Sequence, residues 1–365
     1  MGGASGEPGD LAGLTYRTDR MGGRLNRQRV LDWFPVVATA EYDYWDDIPR
    51  VEDVDVPSPD SVTPCPPEGF LSPTQSVITR IGAKAELATK LVSWFPRSYC
   101  YVEPFAATLK VLFTKPWRDR VEIVNDFDTD LVEFWRWARH APDRLIEAIN
   151  ETPIHEGIIY GVRDQLGRRK YQGLHRAAAW FIASQSSFNG KVDQSSLGLT
   201  SVKGIYYKLD PALVQGVVKR LRGVTILSRD FERVITILNK SMPAKNFPPG
   251  GVFFYLDPPY WMTAGYKMMD GSGSFPWEKQ VRLSQLCVEI DQMGNKFLQT
   301  NSYHPDLLRL YGGYKREDGS PRFHLREEKV RYTIGGKEAD VFSELVVSNY
   351  PLADRPQGQT KLFGG

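Results

Sequence analysis

From residue 76 onward the apolar positions of the chain switch repeatedly between two spacings, one of about two residues and one of about 3.6. "ELATKLVSWF" (86–95) repeats every third or fourth residue and predicts a helix. "SYCYVEPF" (98–105) predicts a strand that ends at Glu103 and Pro104, with helix-forming "AATLKVLFTK" (106–115) behind it. "VEIVND" (121–126) is a second strand, followed by "TDLVEFWRWARHAPDRLIEAI" (129–149), a single predicted helix capped at Asp128 or Thr129. "GVTILSRD" (223–230) and "GGVFFYLDPP" (250–259) are the third and fourth strands, with "FERVITILNK" (231–240) as the helix between them. "RLSQLCVEIDQMG" (282–294) is a helix, "KFLQTN" (296–301) a fifth strand and "HPDLLRLYG" (304–312) a short helix. The late strands "EKVRYTI" (328–334) and "VFSELVVSNY" (341–350) are close enough for an antiparallel hairpin or edge pair.

Strands alternating with helices imply an α/β fold with a mostly parallel sheet, and in such sheets ligands sit outside the carboxyl ends of the strands. Glu103, Asp126, Asp230 and Asp257 all fall at or just beyond predicted strand ends. Between about 151 and 224 the alternation stops. That stretch is basic (Arg163, Arg168, Arg169, Lys170, Arg176, Lys191, Lys203, Lys208) and rich in Tyr, Phe, Ser and Gly. It reads as an insert above the site that could contact nucleic acid. On charge alone the plainer reading, a solvated helical insert, is preferred. Residues 1–75 are rich in Gly, Pro and acid and lack an apolar period, so they form an N-terminal extension with little core of its own. Its aromatic stretch "LDWFPVVATAEYDYWDDI" either docks on the main body or belongs to a disordered tail.

Composition narrows the classes. The chain has 365 residues, enough for one large domain or two, and a formal net charge of +2, so any basic surface must be local. Five scattered histidines disfavour a histidine-built metal site. Cys65, Cys100 and Cys287 lack metal-ligand spacing and fit a reducing cytosol. No apolar run is long enough to span a membrane, and "MGGASGEPGD" does not have the pattern of a signal peptide. The expectation is a soluble, cytoplasmic protein.

The fourth strand carries the most specific chemistry. "FFYLDPPYW" (253–261) ends a fully apolar run with an aspartate, two prolines and two aromatics. Proline fixes φ and removes backbone donors, so the carbonyls here are left as acceptors. Asp257 adds a carboxylate acceptor and Tyr260 a flat ring. Together they suit a planar group bearing an amino donor, such as the exocyclic amine of a nucleobase. Such an amine can be reached in duplex nucleic acid only by flipping the base out. The plainer alternative, Asp257 as a helix cap, fits poorly with two prolines following it.

Asp-Pro-Pro-Tyr after an apolar strand resembles the catalytic motif of the amino-group DNA methyltransferases. Other segments resemble that family's motifs in its order. "RIGAK" (80–84) is similar to the motif in which Gly82 and Lys84 contact S-adenosylmethionine. "YVEPFA" (101–106) resembles the first cofactor motif, with Glu103, Pro104, Phe105 and Ala106. "IVNDFDTDLVEFW" resembles the segment after the second strand, with Asp126. "SSFNG" (186–190) resembles an element of the target-recognition region, giving Phe188, Asn189, Gly190 and the adjoining Lys191 as substrate contacts. "SRDFERVI" resembles the segment whose Asp230 and Phe231 hold the cofactor adenine, and "TNSYHPDLLRLY" and "SELVVSNY" resemble the closing motifs. The order is that of the Dam-like adenine-N6 class. The resemblance implies a Rossmann-like S-adenosylmethionine-dependent core (76–150 and 225–365) carrying a target-recognition insert (151–224). It implies methyl transfer to a flipped-out adenine, with the amine held by Asp257 and the Pro258 carbonyl, Pro259 shaping the turn and Tyr260 stacking on the base. DNA is the implied partner, with a monomer preferred and a bacterial or phage origin acting in the host cytoplasm.

One motif departs from the pattern. Where the family usually reads Glu-Pro-Phe-Ala-Gly-x-Gly, this chain reads "EPFAATL", so that Ala107 and Leu109 replace glycines and Lys110 follows. Left-handed backbone at a residue with a side chain costs about 1–2 kcal/mol. The expectation is therefore a loop of changed shape, with Leu109 directed toward the cofactor's space. Three readings stand: ordinary transfer with a remodelled loop, which leads; a changed cofactor or transferred group, with Lys110 suited to a carboxylated S-adenosylmethionine analogue; or a DNA-binding relic. The segment "NGKVDQSSLGLTSVKG" lacks the Arg-rich element associated with GATC recognition.

Overall fold

The computed structural model describes residues 75–78, 87–153, 159–162, 166, 172–186, 208–244, 251–262, 275–332 and 340–353. Seven strands form one sheet: β1 (Cys100–Glu103), β2 (Val121–Asn125), β3 (Val224–Leu227), β4 (Val252–Leu256), β5 (Lys296–Ser302), β6 (His324–Tyr332) and β7 (Asp340–Ser348). Their order is β3-β2-β1-β4-β5-β7-β6. β1 to β5 are mutually parallel, so their carboxyl ends share one edge. β7 runs antiparallel to both of its neighbours, β5 and β6. The late pair is therefore a hairpin whose second strand, "VFSELVVSNY", inserts next to β5. β7 is the more apolar of the two, and its Leu345, Val346 and Val347 are buried.

The helices are α1 (Leu87–Trp94), α2 (Lys110–Thr114), α3 (Thr129–His140), α4 (Pro142–Asn150), α5 (Gly173–Gln185), α6 (Pro211–Leu221), α7 (Phe231–Ala244), α8 (Trp277–Gln292) and α9 (Pro305–Gly312). The long helix expected over 129–149 is two helices, because Pro142 cannot donate a backbone hydrogen bond and pushes Ala141 out of helical geometry (φ −140°, ψ 59°). Asp128, one of the two expected caps, is the one used, and its carboxylate accepts from the backbone N–H groups of Asp130 and Leu131.

Alternation along the strands sorts side chains to two faces. Val102 of β1, Phe254 and Leu256 of β4 and Phe297 of β5 pack into one core with Val234 and Leu238 of α7, Leu283 and Ile290 of α8 and Leu307 of α9. On the opposite face the Phe95 ring, just past α1, lies 6.0 Å from Tyr101, 4.7 Å from Phe253 and 5.4 Å from Tyr255, centroid to centroid. Two layers of helices thus enclose a sheet whose central strands are apolar almost to their ends. The polar residues begin at the carboxyl edge.

Part of the basic stretch serves this architecture. Arg176 of α5 makes a two-point ion pair with Asp130 of α3, and the Lys208 ammonium donates to the Asn150 and Thr152 carbonyls at the end of α4. The middle of α5, Ala177–Ser184, is buried throughout, and Phe181 stacks on Phe134 of α3 with ring centroids 5.1 Å apart. Arg163, Arg168, Arg169, Lys170, Lys191 and Lys203 lie outside the described residues.

Candidate active site

The carboxyl edge gathers the four acids anticipated at strand ends. Glu103 closes β1, Asp126 follows β2, Asp230 lies beyond β3 and Asp257 follows β4. The chain reverses its strand order between β1 and β4, which is where a parallel sheet opens a ligand crevice.

The loop from β1 to α2 is held at most of its backbone groups. Ala106 N–H donates to the Asn125 carbonyl (2.8 Å) and Leu109 N–H to the Ala106 carbonyl (2.7 Å). Ala107 N–H donates to the Asp126 carboxylate (2.8 Å), while the Ala107 carbonyl accepts from the Trp135 indole (3.0 Å). The Ser76 hydroxyl donates to the Thr108 carbonyl (2.7 Å). Within this frame Ala107 and Leu109 are left-handed, with φ of 42° and 56°. Both residues thus adopt the backbone conformation that glycine reaches without strain. The Leu109 expectation is corrected. Its side chain is 0% exposed, so it is packed into the interior and does not project into an open crevice. Hydrogen bonds from three other segments, together with Leu109 burial, offset the local strain. α2 is shorter than expected because its first turn is consumed by these left-handed residues. Lys110 is its first residue and is half-buried.

Asn125 joins two of the strand ends. Its amide NH2 donates to the carbonyls of Pro104 and Arg229, and its oxygen accepts from Arg229 N–H. Asp230 accepts from the Glu232 N–H and so caps α7. Phe231 is buried, 5.2 Å from Phe105 and 5.3 Å from Phe275, and Phe105 is the half-exposed member of that trio.

Glu103 is 2% exposed, and its Oε2 is buried without a hydrogen-bond partner. Burial, and then repulsion from Asp257, push its carboxyl up to about 8. A carboxyl with an unfilled acceptor at the switch point fits a ligand that brings positive charge or N–H donors. S-adenosylmethionine has both in its sulfonium and ammonium groups. The residues present therefore fit that cofactor.

The Asp-Pro-Pro-Tyr turn is braced from behind. The Pro259 carbonyl accepts from Gln280 of α8 (3.0 Å), and Gln280 in turn accepts from Asn301 at the end of β5 (3.0 Å). Asn301 also accepts from Trp261 N–H (3.0 Å), and the Ser302 hydroxyl donates to the Trp261 carbonyl (2.8 Å). Asp257 accepts from the Thr300 hydroxyl (2.7 Å), and the Tyr260 hydroxyl donates to Glu344 of β7 (2.7 Å). Burial and the negative charges of Asp257 and Glu344 hold the Tyr260 phenol well above its usual range, so it remains a neutral donor.

Gln280 was not singled out from the sequence; Asn125, Trp135, Thr300, Asn301 and Glu344 lay inside the segments that resemble family motifs, but none was given a role of its own. One signal was available for two of them, Thr300 and Asn301. A strand buried on both faces reads as a continuous apolar run, yet β5 ends Gln299-Thr300-Asn301. Gly82, Lys84, Phe188, Asn189, Gly190 and Lys191 lie outside the described residues. Among the described residues there is no acidic, His or Cys cluster able to hold a metal ion, and no helix is long and apolar enough to cross a membrane.

A seven-stranded sheet in this order, parallel from β1 to β5 with an antiparallel β7 beside β5, is that of a Rossmann-like methyltransferase core. The sequence model of the D12 class N6 adenine-specific DNA methyltransferases matches residues 81–334, and the chain belongs to that family. It is 24% identical over 286 residues to the "DNA N-6-adenine-methyltransferase" of Escherichia phage P1, a match covering 74% of this chain and 35% of the phage protein. It is 25% identical over 286 residues to the "Type II methyltransferase M1.LlaDCHI" of Lactococcus lactis subsp. cremoris, covering 74% of this chain and 93% of that one. The chain thus spans about a third of the length of the first relative and nearly all of the second.

Proposed function

We propose that this chain transfers the methyl group of S-adenosylmethionine to the N6 amino group of an adenine flipped out of DNA. The observation that supports the reading is the braced Asp-Pro-Pro-Tyr turn after β4, with Gln280 on the Pro259 carbonyl, Thr300 on the Asp257 carboxylate and the Tyr260 hydroxyl on Glu344.

In this reading Asp257 and the Pro258 carbonyl accept the two N6 hydrogens. Drawing those hydrogens out of the ring plane weakens delocalisation of the nitrogen lone pair into the ring and leaves it available as a nucleophile. Tyr260 stacks on the base. The cofactor supplies an electrophilic methyl group. Glu103, the Pro104–Ala106 turn, Asp126, Asp230 and Phe231 line its place, joined by Gly82 and Lys84. The protein's contribution is positioning and fixed electrostatics, with no covalent intermediate. Phe188, Asn189, Gly190 and Lys191 of the 151–224 insert contact the target sequence. The carboxylated analogue stays tied to Lys110 alone, so ordinary S-adenosylmethionine is preferred. The setting is the cytoplasm of a bacterial or phage-infected cell, and the active species a monomer.

The test is transfer from methyl-labelled S-adenosylmethionine to duplex DNA of mixed sequence, followed by digestion to nucleosides. Label in N6-methyldeoxyadenosine, absent with Asp257→Ala, supports the reading. Label in N4-methyldeoxycytidine, or in RNA or protein in preference to DNA, would replace it.

A further inference from the structure

Beneath Asp257, on the face of the sheet covered by Phe95, two hydroxyls follow in line. Thr300 Oγ1 donates to Asp257 Oδ1 at 2.7 Å, and the Tyr255 hydroxyl lies 3.3 Å from the same Thr300 oxygen. A threonine has one hydroxyl hydrogen. With that hydrogen on Asp257, the Tyr255 O–H is the donor to Thr300, and the three groups form a one-way chain that ends on the carboxylate. Thr300 is 0% and Tyr255 1% exposed, so water does not compete for these bonds. In low-dielectric surroundings successive hydrogen bonds polarise one another toward their common acceptor.

The strand register makes the arrangement rigid. β4 and β5 pair Tyr255 with Leu298 and Leu256 with Gln299, so Asp257 falls opposite Thr300 one step beyond the last pair. Thr300 is itself held between strands, paired with Val346 of β7. An apolar pair of the same shape would fill these positions at no loss of packing, and two buried hydroxyls are not needed to hold the sheet together. What they add is control over the rotation of the Asp257 carboxylate.

We infer that Thr300, backed by Tyr255, is a positioning residue for the transfer reaction: it sets the Asp257 carboxylate plane so that an acceptor lone pair faces the incoming amine before the base arrives. The inference rests on the function proposed above. A carboxylate that lacked the Thr300 bond would still bind the amine but would be held less closely to the productive orientation. Misalignment of this size affects the transition state far more than it affects binding.

The experiment compares Thr300→Val, which keeps the shape and removes the hydroxyl, with Thr300→Ser, Tyr255→Phe and the Tyr255→Phe/Thr300→Val double variant. Each is assayed for kcat and for KM on DNA, for cofactor affinity by calorimetry and for melting temperature. Thr300→Val should lower kcat by about 10–100-fold, with KM and cofactor affinity within about twofold of wild type. Thr300→Ser should restore most of the rate. Tyr255→Phe should lose a few-fold, and the double variant should be no slower than Thr300→Val, because the two residues act through one bond. If Thr300→Val melts early, Tyr255→Phe carries the same comparison.

A folded Thr300→Val with wild-type kcat would overturn the inference. So would a loss shared equally by KM and cofactor affinity, or one that serine does not repair. An inactive wild-type protein would overturn the parent reading as well, whereas an active wild type with an unaffected Thr300→Val sinks this inference alone.

Discussion

The backbone N–H of Ala107 donates to the Asp126 carboxylate at 2.8 Å, tying the turn after β1 to the end of β2. The same carboxylate accepts from Asp128 N–H (2.9 Å), just ahead of α3. Asp126 thus fixes the entrances to two helices at once. That bond helps Ala107 to stay left-handed where a glycine would do so unaided.

Two glycine substitutions in this turn should have opposite effects. Ala107 is half-buried and strained, so Ala107→Gly relieves the strain and should be neutral to about 1 kcal/mol more stable, allowing for the added freedom of the unfolded chain. Leu109 is just as strained but fully buried, so Leu109→Gly should lose about 2–5 kcal/mol through the cavity it leaves. Urea denaturation of both variants checks this. Stabilisation by Leu109→Gly would mean that its side chain contributes little to the core.

Glu103 makes stability depend on pH in a definite direction. Its folded carboxyl titrates at about 8 against an ordinary 4.5. Between those values the folded protein retains a proton that the unfolded chain has released, so the Glu103 contribution falls as pH rises through the window. Glu103→Gln removes the titration. Its melting temperature should gain on wild type by an amount that grows from about pH 5 to about pH 8.5, corresponding to a few kcal/mol at most. Parallel melting curves for the two proteins would show that Glu103 is not held neutral.

Tyr260 combines a stacking ring with an anchoring hydroxyl. Tyr260→Phe keeps the ring but takes a donor from the buried Glu344 carboxylate, which should cost about 1–3 kcal/mol of stability while transfer stays within about tenfold of wild type. Tyr260→Ala removes both and should lower transfer by about 100-fold or more. If the two variants were equally impaired in transfer, the hydroxyl would matter more than the ring.

Asn301 brings together the turn after β4, β5 and α8. In Asn301→Ala the Trp261 N–H loses its acceptor in partly buried surroundings and Gln280 its donor in buried ones. A loss of about 2–3 kcal/mol is expected, with a loosened Asp-Pro-Pro-Tyr turn. Hydrogen exchange at Trp261 reads this directly: its amide should exchange faster in the variant, and unchanged exchange would dissociate Asn301 from the turn.

These residues also show what could be read in advance. Strand and helix periods were clear wherever one face was apolar, which placed β1 to β5 and the acids at their ends. Asp257 stood out because two prolines after an apolar strand are costly unless the carbonyls are used. The supports were hidden for a physical reason. Trp135 lies 28 positions from Ala107, Gln280 lies 21 from Pro259 and Glu344 lies 84 from Tyr260, and no local pattern encodes such pairings. The left-handed backbone at Ala107 and Leu109 was equally hidden, because the partners that hold it lie far along the chain. Pro142, which divides α3 from α4, could have been read directly but was outweighed by the long amphipathic pattern around it.

The central claim is that a cofactor turn without glycines still forms the S-adenosylmethionine cradle. Calorimetric titration of the purified protein with S-adenosylmethionine tests it most directly, with S-adenosylhomocysteine and the carboxylated analogue as competitors. The account predicts one site of about micromolar affinity for S-adenosylmethionine, displaced by S-adenosylhomocysteine and not favouring the analogue. No heat with S-adenosylmethionine, or clear preference for the analogue, would contradict it.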